Sequence, residues 1–300
     1  MYLKNLLERS LLEEAIVTEN LSKRYGQIWA VKDLNLKVHA GELFGFLGPN
    51  GAGKTTTIRM LTTITKPTYG HALVDGFDIQ EKPEMVRKAI GVMQQHLSLD
   101  RDLTVRENME LRARLHHLSA DERKKRVNEL LEYVGLTEHA DRTIDELSGG
   151  FQRRAMIACS LIHRPKILFL DEPTVGLDAH TRRRMWDLIR RLNSDGVTIF
   201  LTTHYIEEAE TLCQRVGIIH KGQLIALDSP MELRRKIGLF TVVMVTGGGK
   251  FAYKFFHDRA EASRYIQNLS SSNSIKSVVI RESNLEDVFV ELTGGEVIGE

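Results

Sequence analysis

The sequence predicts an α/β fold built around a phosphate-binding loop, and three observations carry that reading. The run Gly48-Pro49-Asn50-Gly51-Ala52-Gly53-Lys54-Thr55 has a glycine, four intervening residues and then Gly-Lys-Thr, the spacing of a loop that cradles phosphates. Short apolar runs such as Leu43-Phe44-Gly45-Phe46-Leu47 and Ile167-Leu168-Phe169-Leu170 read as buried strands. A polar stretch from Leu103 to Ala140 with helical periodicity interrupts those strands.

The chemistry of the loop explains its spacing. Glycines let successive backbone N–H groups turn inward around a phosphate, where a Cβ would block both the turn and the close approach. Lys54 is placed to reach the β- and γ-phosphates, and the Thr55 hydroxyl to hold Mg²⁺. The strand Leu43–Leu47 precedes the loop, and Thr55 to Leu61 can begin a helix whose N-terminus adds positive potential at the phosphates. The plain alternative is a Gly-rich turn followed by a chance Lys-Thr, and these flanks argue against it. The loop alone does not choose among kinases, GTPases, helicases and transport ATPases.

With 300 residues, 42% of them hydrophobic and 27% charged, the chain has length for one large domain and a small one. The formal net charge of +1 gives no electrostatic argument for nucleic acid or an acidic surface. Basic clusters at Arg153-Arg154, Arg182-Arg183-Arg184 and Arg234-Arg235-Lys236 mostly have acidic neighbours and read as solvated helix faces. Cys159 and Cys213 are the only cysteines, without metal-ligand spacing, and read as buried reduced thiols. No apolar run approaches the ~18 residues of a membrane span, and no cleavable signal is visible. The expectation is a cytosolic protein that depends on another chain for any membrane spans.

In chain order, Met1 to Glu14 carries Leu3, Leu6, Leu7, Leu11 and Leu12 near a helical repeat. An amphipathic helix and a frayed extension are both open readings. Strands are expected at Ile16 to Leu21 and Leu34 to Val38, at His71 to Gly76 and at Ile90 to Met93, the last followed at once by Gln94-Gln95. Tyr25 is either a half-buried strand-end aromatic or a platform for adenine. Val127, Leu130, Leu131 and Val134 share a helix face, and Gly135 is placed to end that helix. Leu147-Ser148-Gly149-Gly150 leads into a helix-like run from Arg153 to His163, a second anion-binding geometry. An apolar strand then ends in Asp171-Glu172, as a metal-binding Asp and a catalytic Glu are held at a sheet's carboxyl edge. Val197 to Thr202 is a further strand and delivers His204, and a lone histidine in that place is more often structural than catalytic. A hairpin across Lys221-Gly222 and a helix start at Ser229-Pro230 follow. Past Gly238 the pattern restarts as a small α+β unit: strands flanking Gly247-Gly248-Gly249, a helix from Arg259 to Leu269, a strand and a last helix.

Taken together, residues 15–230 resemble the ATP-binding subunit of an ABC transporter. The decisive likeness is Leu147-Ser148-Gly149-Gly150, which resembles the ABC signature and falls shortly before the acidic strand. The resemblance implies a P-loop NTPase cassette with a RecA-like core, an antiparallel β subdomain and a helical signature subdomain at about 100–145. The cassette would span 15–238, with 1–14 as an N-terminal extension and 239–300 as a C-terminal accessory domain.

Residue roles follow from the same likeness. Tyr25 matches the aromatic that stacks on adenine, and Gly48 through Thr55, with Thr56 next to them, match the Walker A site for ATP. Gln95, or its neighbour Gln94, resembles the Q-loop glutamine at Mg²⁺ and the attacking water. Asp171 matches the metal-binding Walker B aspartate beside Thr55, Glu172 the general base, Asp178 the D-loop and His204 the switch histidine. Ser148, Gly149 and Gly150 would close over ATP held by a second copy in a head-to-tail dimer. Phe151 stands where many family members have Gln or Met, a departure that leaves the glycines intact. The tail Asn284-Leu285-Glu286-Asp287-Val288-Phe289-Val290-Glu291-Leu292-Thr293-Gly294 and the run Thr202-Thr203-His204-Tyr205-Ile206-Glu207-Glu208-Ala209-Glu210 resemble ATPases of ABC-2-type exporters, which move drugs, lipids or polysaccharides. The implied partner is therefore an integral membrane permease at the cytoplasmic face. An importer ATPase and a non-transport ATPase acting on ribosomes or DNA are the alternatives.

Overall fold

Alternation along the buried strands builds one core on each face of a parallel sheet. A computed structural model describes residues 14–246, 251–269 and 275–294; the amphipathic stretch expected at the N-terminus and the glycines 247–249 lie outside them. β3 (Leu43–Leu47), β7 (Ile167–Asp171) and β8 (Thr198–Thr203) are buried at every residue. The six-stranded sheet runs β10-β9-β3-β8-β7-β6, with β6 (Ile90–Met93) at one edge and the antiparallel hairpin of β9 (Arg215–His220) and β10 (Gln223–Asp228) at the other. Successive residues face opposite sides. Phe44, Phe46, Phe169 and Phe200 therefore pack on one face and Leu43, Leu47, Leu168, Leu170 and Leu201 on the other. Three aromatic contacts to Phe200, at centroid distances of 5.4–5.6 Å, knit the first face together.

That aromatic face is covered by α1 (Lys54–Leu61) and by an antiparallel sheet, β2-β1-β4-β5. β1 (Glu14–Tyr25) and β2 (Ile28–His39) are each twelve residues long, longer than the sequence pattern suggested. Irregular register around Leu21 and Lys23 breaks the strict alternation by which a strand is recognised. β4 (Tyr69–Val74) and β5 (Phe77–Asp78) complete that sheet, and α2 (Pro83–Ala89) leads to β6.

The opposite face carries the helical insert. α3 (Val105–Leu115) and α4 (Ala120–Tyr133) each start with a reciprocal capping box, Thr104 with Glu107 and Ser119 with Glu122, which satisfies two orphan N-terminal amides per helix. Gly135, at φ 68°, ends α4 as expected. The two ends of the insert are pinned together where Val105 N donates to Arg142 O (3.0 Å) and Arg106 N to Ala140 O (2.9 Å). α5 (Gly149–Ser160) begins at the signature glycines, four residues before the expected Arg153, and stops before Arg164 at φ 57° and Pro165.

α6 (Ala179–Ser194), α7 (Ile206–Leu212) and α8 (Pro230–Ile237, capped by Ser229) finish this layer. A three-stranded sheet follows, β12-β11-β13, from β11 (Phe240–Thr246), β12 (Phe251–Phe256) and β13 (Ile275–Glu282), with α9 (Arg259–Leu269) against it. The last helix, α10 (Leu285–Thr293), is held to that sheet by Asp287, which accepts from Arg281 of β13 and Thr241 of β11, but turns its apolar face to the cassette. Its Leu285, Val288 and Phe289 join the large core, and Leu285 N donates to Glu210 Oε1 at 2.8 Å. The C-terminal segment is thus tied to the cassette at its far end as well as its near one.

Candidate nucleotide-binding site

Strand register brings the expected residues to one edge. Leu47 pairs with Thr203, Asp171 with Thr202, and Met93 with Leu170. The loop at Gly48, the acidic pair, His204 and Gln94-Gln95 therefore leave adjacent strands on the same carboxyl side. Ligands of open parallel sheets bind in such a crevice.

The loop fits its sequence. Gly53 sits at φ 111° as the N-cap of α1, a conformation that L side chains rarely adopt. A Cβ at Gly48 would lie 2.3 Å from the carbonyl of Ile219, and one at Gly53 2.4 Å from that of Ala30. The β9–β10 turn also braces the loop from outside: Gly222 N donates to Ala52 O (3.0 Å) while Lys32 N donates to Gly222 O (2.8 Å). No side chain caps α1, so its first-turn amides are left for another acceptor. Thr55 and Thr56 are half-buried at its start, and Pro49, Asn50 and Gly51 form the outer wall.

Lys54 is 5% exposed and donates to the carbonyls of Gly48 (2.7 Å) and Pro49 (3.1 Å). Its Nζ also lies 3.1 Å from Glu172 Oε1, while His204 Nδ1 lies 2.6 Å from Glu172 Oε2. Glu172 itself is held at φ 53° by a bond from its N–H to Thr202 O (3.1 Å). A non-glycine residue in the left-handed region at a site is a point of stored strain. Asp171 accepts from Thr202 Oγ1 at 2.5 Å and from Thr55 Oγ1 at 3.4 Å, and its burial raises its pKa against the pull of those bonds. The hydroxyl of Thr55 and the carboxylate of Asp171 form a hard-oxygen pair suited to Mg²⁺. Among the described residues no cluster of three or more His, Cys, Asp or Glu could hold a metal alone, so phosphate oxygens and water would have to complete that shell.

The remaining expected residues stand apart from this network. Tyr25 ends β1 at the hairpin and is 48% exposed, with Lys23 Nζ 5.2 Å from its ring centroid. Gln95 is half-buried on the loop after β6, whereas Gln94 is exposed. Ser148 is the N-cap of α5 with no side-chain cap bond, and Ser148 and Gly149 are exposed. Among the described residues no hydrogen bond or ion pair connects Ser148, Gly149 or Gly150 to Lys54, Glu172 or His204. Asp178 caps α6, accepting from His180 N and Thr181 N (both 3.0 Å) and Thr181 Oγ1 (2.6 Å).

Three participants were not visible in the sequence. Thr202 bonds both acids of the Asp171-Glu172 pair. Glu208 is fully buried and accepts from Thr174 Oγ1 (2.8 Å) and Trp186 Nε1 (3.0 Å), tying α7 to α6 and to the turn after Glu172. Burial raises its pKa. The signal for Glu208 was an acid on the apolar face of a short helix beside Ala209 and Leu212. Arg153 reaches the Gln95 loop, and nothing in its sequence neighbourhood marks that contact.

A phosphate loop, a histidine at the end of the adjoining strand and an acid pair at the end of the next define a P-loop ATPase. The family profile described as ABC transporter matches residues 31–175. The chain is 35% identical to the linearmycin resistance ATP-binding protein of Bacillus subtilis, covering 92% of this chain and 97% of that one. It is 37% identical to a daunorubicin resistance ATP-binding protein of Streptomyces coeruleorubidus (95% and 98%). It is 39% identical to a Nod factor export ATP-binding protein of Burkholderia pseudomallei (93% and 97%). Among solved structures, a dimeric ATP-binding cassette bound to ADP and Pi superposes with a TM-score of 0.66 at 31% identity, over 71% of this chain and 98% of that chain. A second, an ATP-binding subunit of an ABC transporter at 24% identity, shares the fold over 93% of this chain with a TM-score of 0.70. The chain belongs to the ATP-binding subunits of ABC transporters, and it is the ATPase of an export system. Among the described residues, no helix is long and apolar enough to cross a membrane.

Proposed function

We propose that this chain binds Mg²⁺·ATP at Gly48–Thr56, hydrolyses it as a head-to-tail homodimer, and drives an ABC-2-type permease from the cytoplasmic face of the membrane. The carrying observation is the continuous chain Lys54–Glu172–His204, 3.1 and 2.6 Å apart, at the sheet edge beside the loop. In this reading residues 15–238 are the cassette and 239–300 an accessory domain. Export of drugs or of Nod factor, in the sense of the relatives' names, is the class of work.

Each role has a physical reason. Tyr25 offers an exposed ring for adenine stacking. Lys54 is held at the loop by two carbonyls and places its charge at the phosphates. Thr55, Asp171 and Gln95 would hold Mg²⁺, which neutralises charge on the β- and γ-phosphate oxygens. Glu172 takes the proton of the attacking water, and His204, bonded to its other oxygen, fixes its orientation. Ser148 and Gly149, exposed at the start of α5, together with Gly150 would supply the free amides of α5 to ATP on a second copy, with Asp178 beside that seam. A γ-phosphate open on one side lacks part of its charge stabilisation, so hydrolysis would follow closure.

The test is Glu172→Gln, which keeps the side chain's size and removes the base. ATP binding persists, turnover falls by ~10²–10⁴, and size-exclusion chromatography shows dimer only with Mg²⁺·ATP. Unchanged turnover, or a protein that stays monomeric with ATP even beside its permease, overturns the proposal.

A further inference from the structure

Arg153 joins two parts of the molecule that the nucleotide sites use separately. It lies four residues after Gly149 in α5, on the same helix face as that signature glycine. Its Nη1 donates to Gln95 O at 2.6 Å and approaches Gln94 O at 3.5 Å, across 58 residues of sequence. Among the described residues it is the only side chain that hydrogen-bonds the segment 94–97, and it makes no ion pair with a carboxylate. Burial lowers the pKa of its guanidinium with nothing opposing. A half-buried cation spent wholly on loop carbonyls is costly for packing alone, and it holds the loop where β6 has ended.

Resting on the head-to-tail dimer proposed above, we propose that Arg153 is a positioning residue that couples the two ATP sites. The signature turn of one subunit touches ATP bound to the partner subunit, whereas Gln95 of that same subunit faces its own ATP. A twelve-residue helix moves as a unit, so a shift of Ser148–Gly150 onto the partner's nucleotide carries Arg153 with it. The bond to Gln95 O then draws the Gln95 loop toward its own site. By the dyad the link runs both ways, and each site becomes fully competent only when the other is filled. This is a coupling free energy between two sites through a named contact, the physical requirement for cooperativity.

The experiment is the ATP dependence of hydrolysis by the full chain, with Arg153→Ala, Arg153→Met and Arg153→Lys beside it. Wild type is expected to show a Hill coefficient well above 1. Arg153→Ala and Arg153→Met lower it toward 1 and reduce kcat by roughly tenfold, with ATP affinity of the monomer and thermal midpoint unchanged. Arg153→Lys, which still donates to a carbonyl, restores part of both. A residue that serves stability alone would shift the midpoint and leave the Hill coefficient where it was. Arg153→Met retains an apolar stem, so loss of fold in the alanine variant does not end the test.

The dimer itself is assayed separately by sizing Glu172→Gln and Glu172→Gln/Arg153→Ala with Mg²⁺·ATP. Dimers from both proteins, with cooperativity lost in Arg153→Ala, support the coupling role. No dimer from Glu172→Gln, even beside its permease, sinks the underlying dimer reading. A dimer lost only on adding Arg153→Ala assigns Arg153 to the interface and overturns the coupling. Wild-type Hill coefficient and kcat in Arg153→Ala overturn it as well.

Discussion

His204 Nδ1 lies 2.6 Å from Glu172 Oε2, and a carboxylate can only accept, so Nδ1 carries the proton of that bond. In the neutral ring Nε2 is then the acceptor. The carboxylate is gripped from two sides, by His204 on Oε2 and by Lys54 on Oε1, which leaves little rotational freedom to the proposed base.

His204→Ala removes the grip on Oε2 without touching the phosphate loop. The expected outcome is a fall in kcat of about 10²-fold, the weight of a correctly held acid–base group, with nucleotide affinity changed far less. Steady-state turnover and equilibrium binding of a fluorescent ATP analogue separate the two. Equal losses in both would place His204 in binding and not in catalysis.

The glycines of the loop are not interchangeable. At Gly53 a Cβ meets the backbone carbonyl of Ala30 at 2.4 Å and the backbone is at φ 111°, whereas at Gly51 (φ 78°) nothing lies within 4 Å. Gly53→Ala is expected to cost on the order of 2 kcal/mol or more, since a backbone clash is added to conformational strain. It should also abolish measurable nucleotide binding. Gly51→Ala meets only the strain, about 1 kcal/mol. Thermal melts of the two variants, with and without ATP, check the order; equal penalties would contradict it.

The contrast between what was legible and what was not follows the range of the interactions. The Gly48–Thr55 loop, the strand ending in Asp171-Glu172 and the signature run are local, each needing particular residue types at fixed spacing, so each stands in the sequence. The fold class follows from them and from apolar runs long enough to be buried strands. What escaped is held at a distance. Thr202 is an ordinary strand threonine until β7 pairs with β8 in the register that sets it against Asp171. Arg153 looks like part of a solvated basic pair until the loop after β6 folds across it. α10 reads as part of an appendage, yet its apolar face is completed by α7 and α8 of the main core. Periodicity says that a face is buried, not against what.

Both thiols are inert in the folded chain. Burial pushes Cys159 up to about 12 and raises Cys213 well above the ordinary thiol value, and both are free and buried. Since the thiolate is the reactive form, an aromatic disulfide reagent at pH 8 should modify neither in native protein. Both cysteines should react once denaturant unfolds the chain. Rapid modification of the native protein would show that α5 or the end of α7 opens locally.

A histidine stack between the end of α3 and the turn after α5 is expected to make stability depend on acidity. The rings of His116 and His163 lie parallel, 3.8 Å apart, and His163 Nε2–H donates to Ile90 O at 2.9 Å. Burial, and then the charge of His116, push His163 down from 6.5 to about 4; burial lowers His116 as well. A depressed histidine is neutral when folded, while the unfolded chain binds the proton near its usual pKa of ~6.5. The unfolded state therefore holds more protons between those values, and stability rises with pH there. The contribution, roughly 3 kcal/mol for a shift of this size, is complete above pH ~6.5 and is lost as pH falls toward about 4. His163→Phe retains a ring for stacking and removes the titration, at the cost of the bond to Ile90. Its denaturation midpoint should be lower than wild type at pH 7.5 and should approach or cross it by pH 4.5. Midpoint curves that run parallel across that range would show that His163 takes up its proton without unfolding the stack.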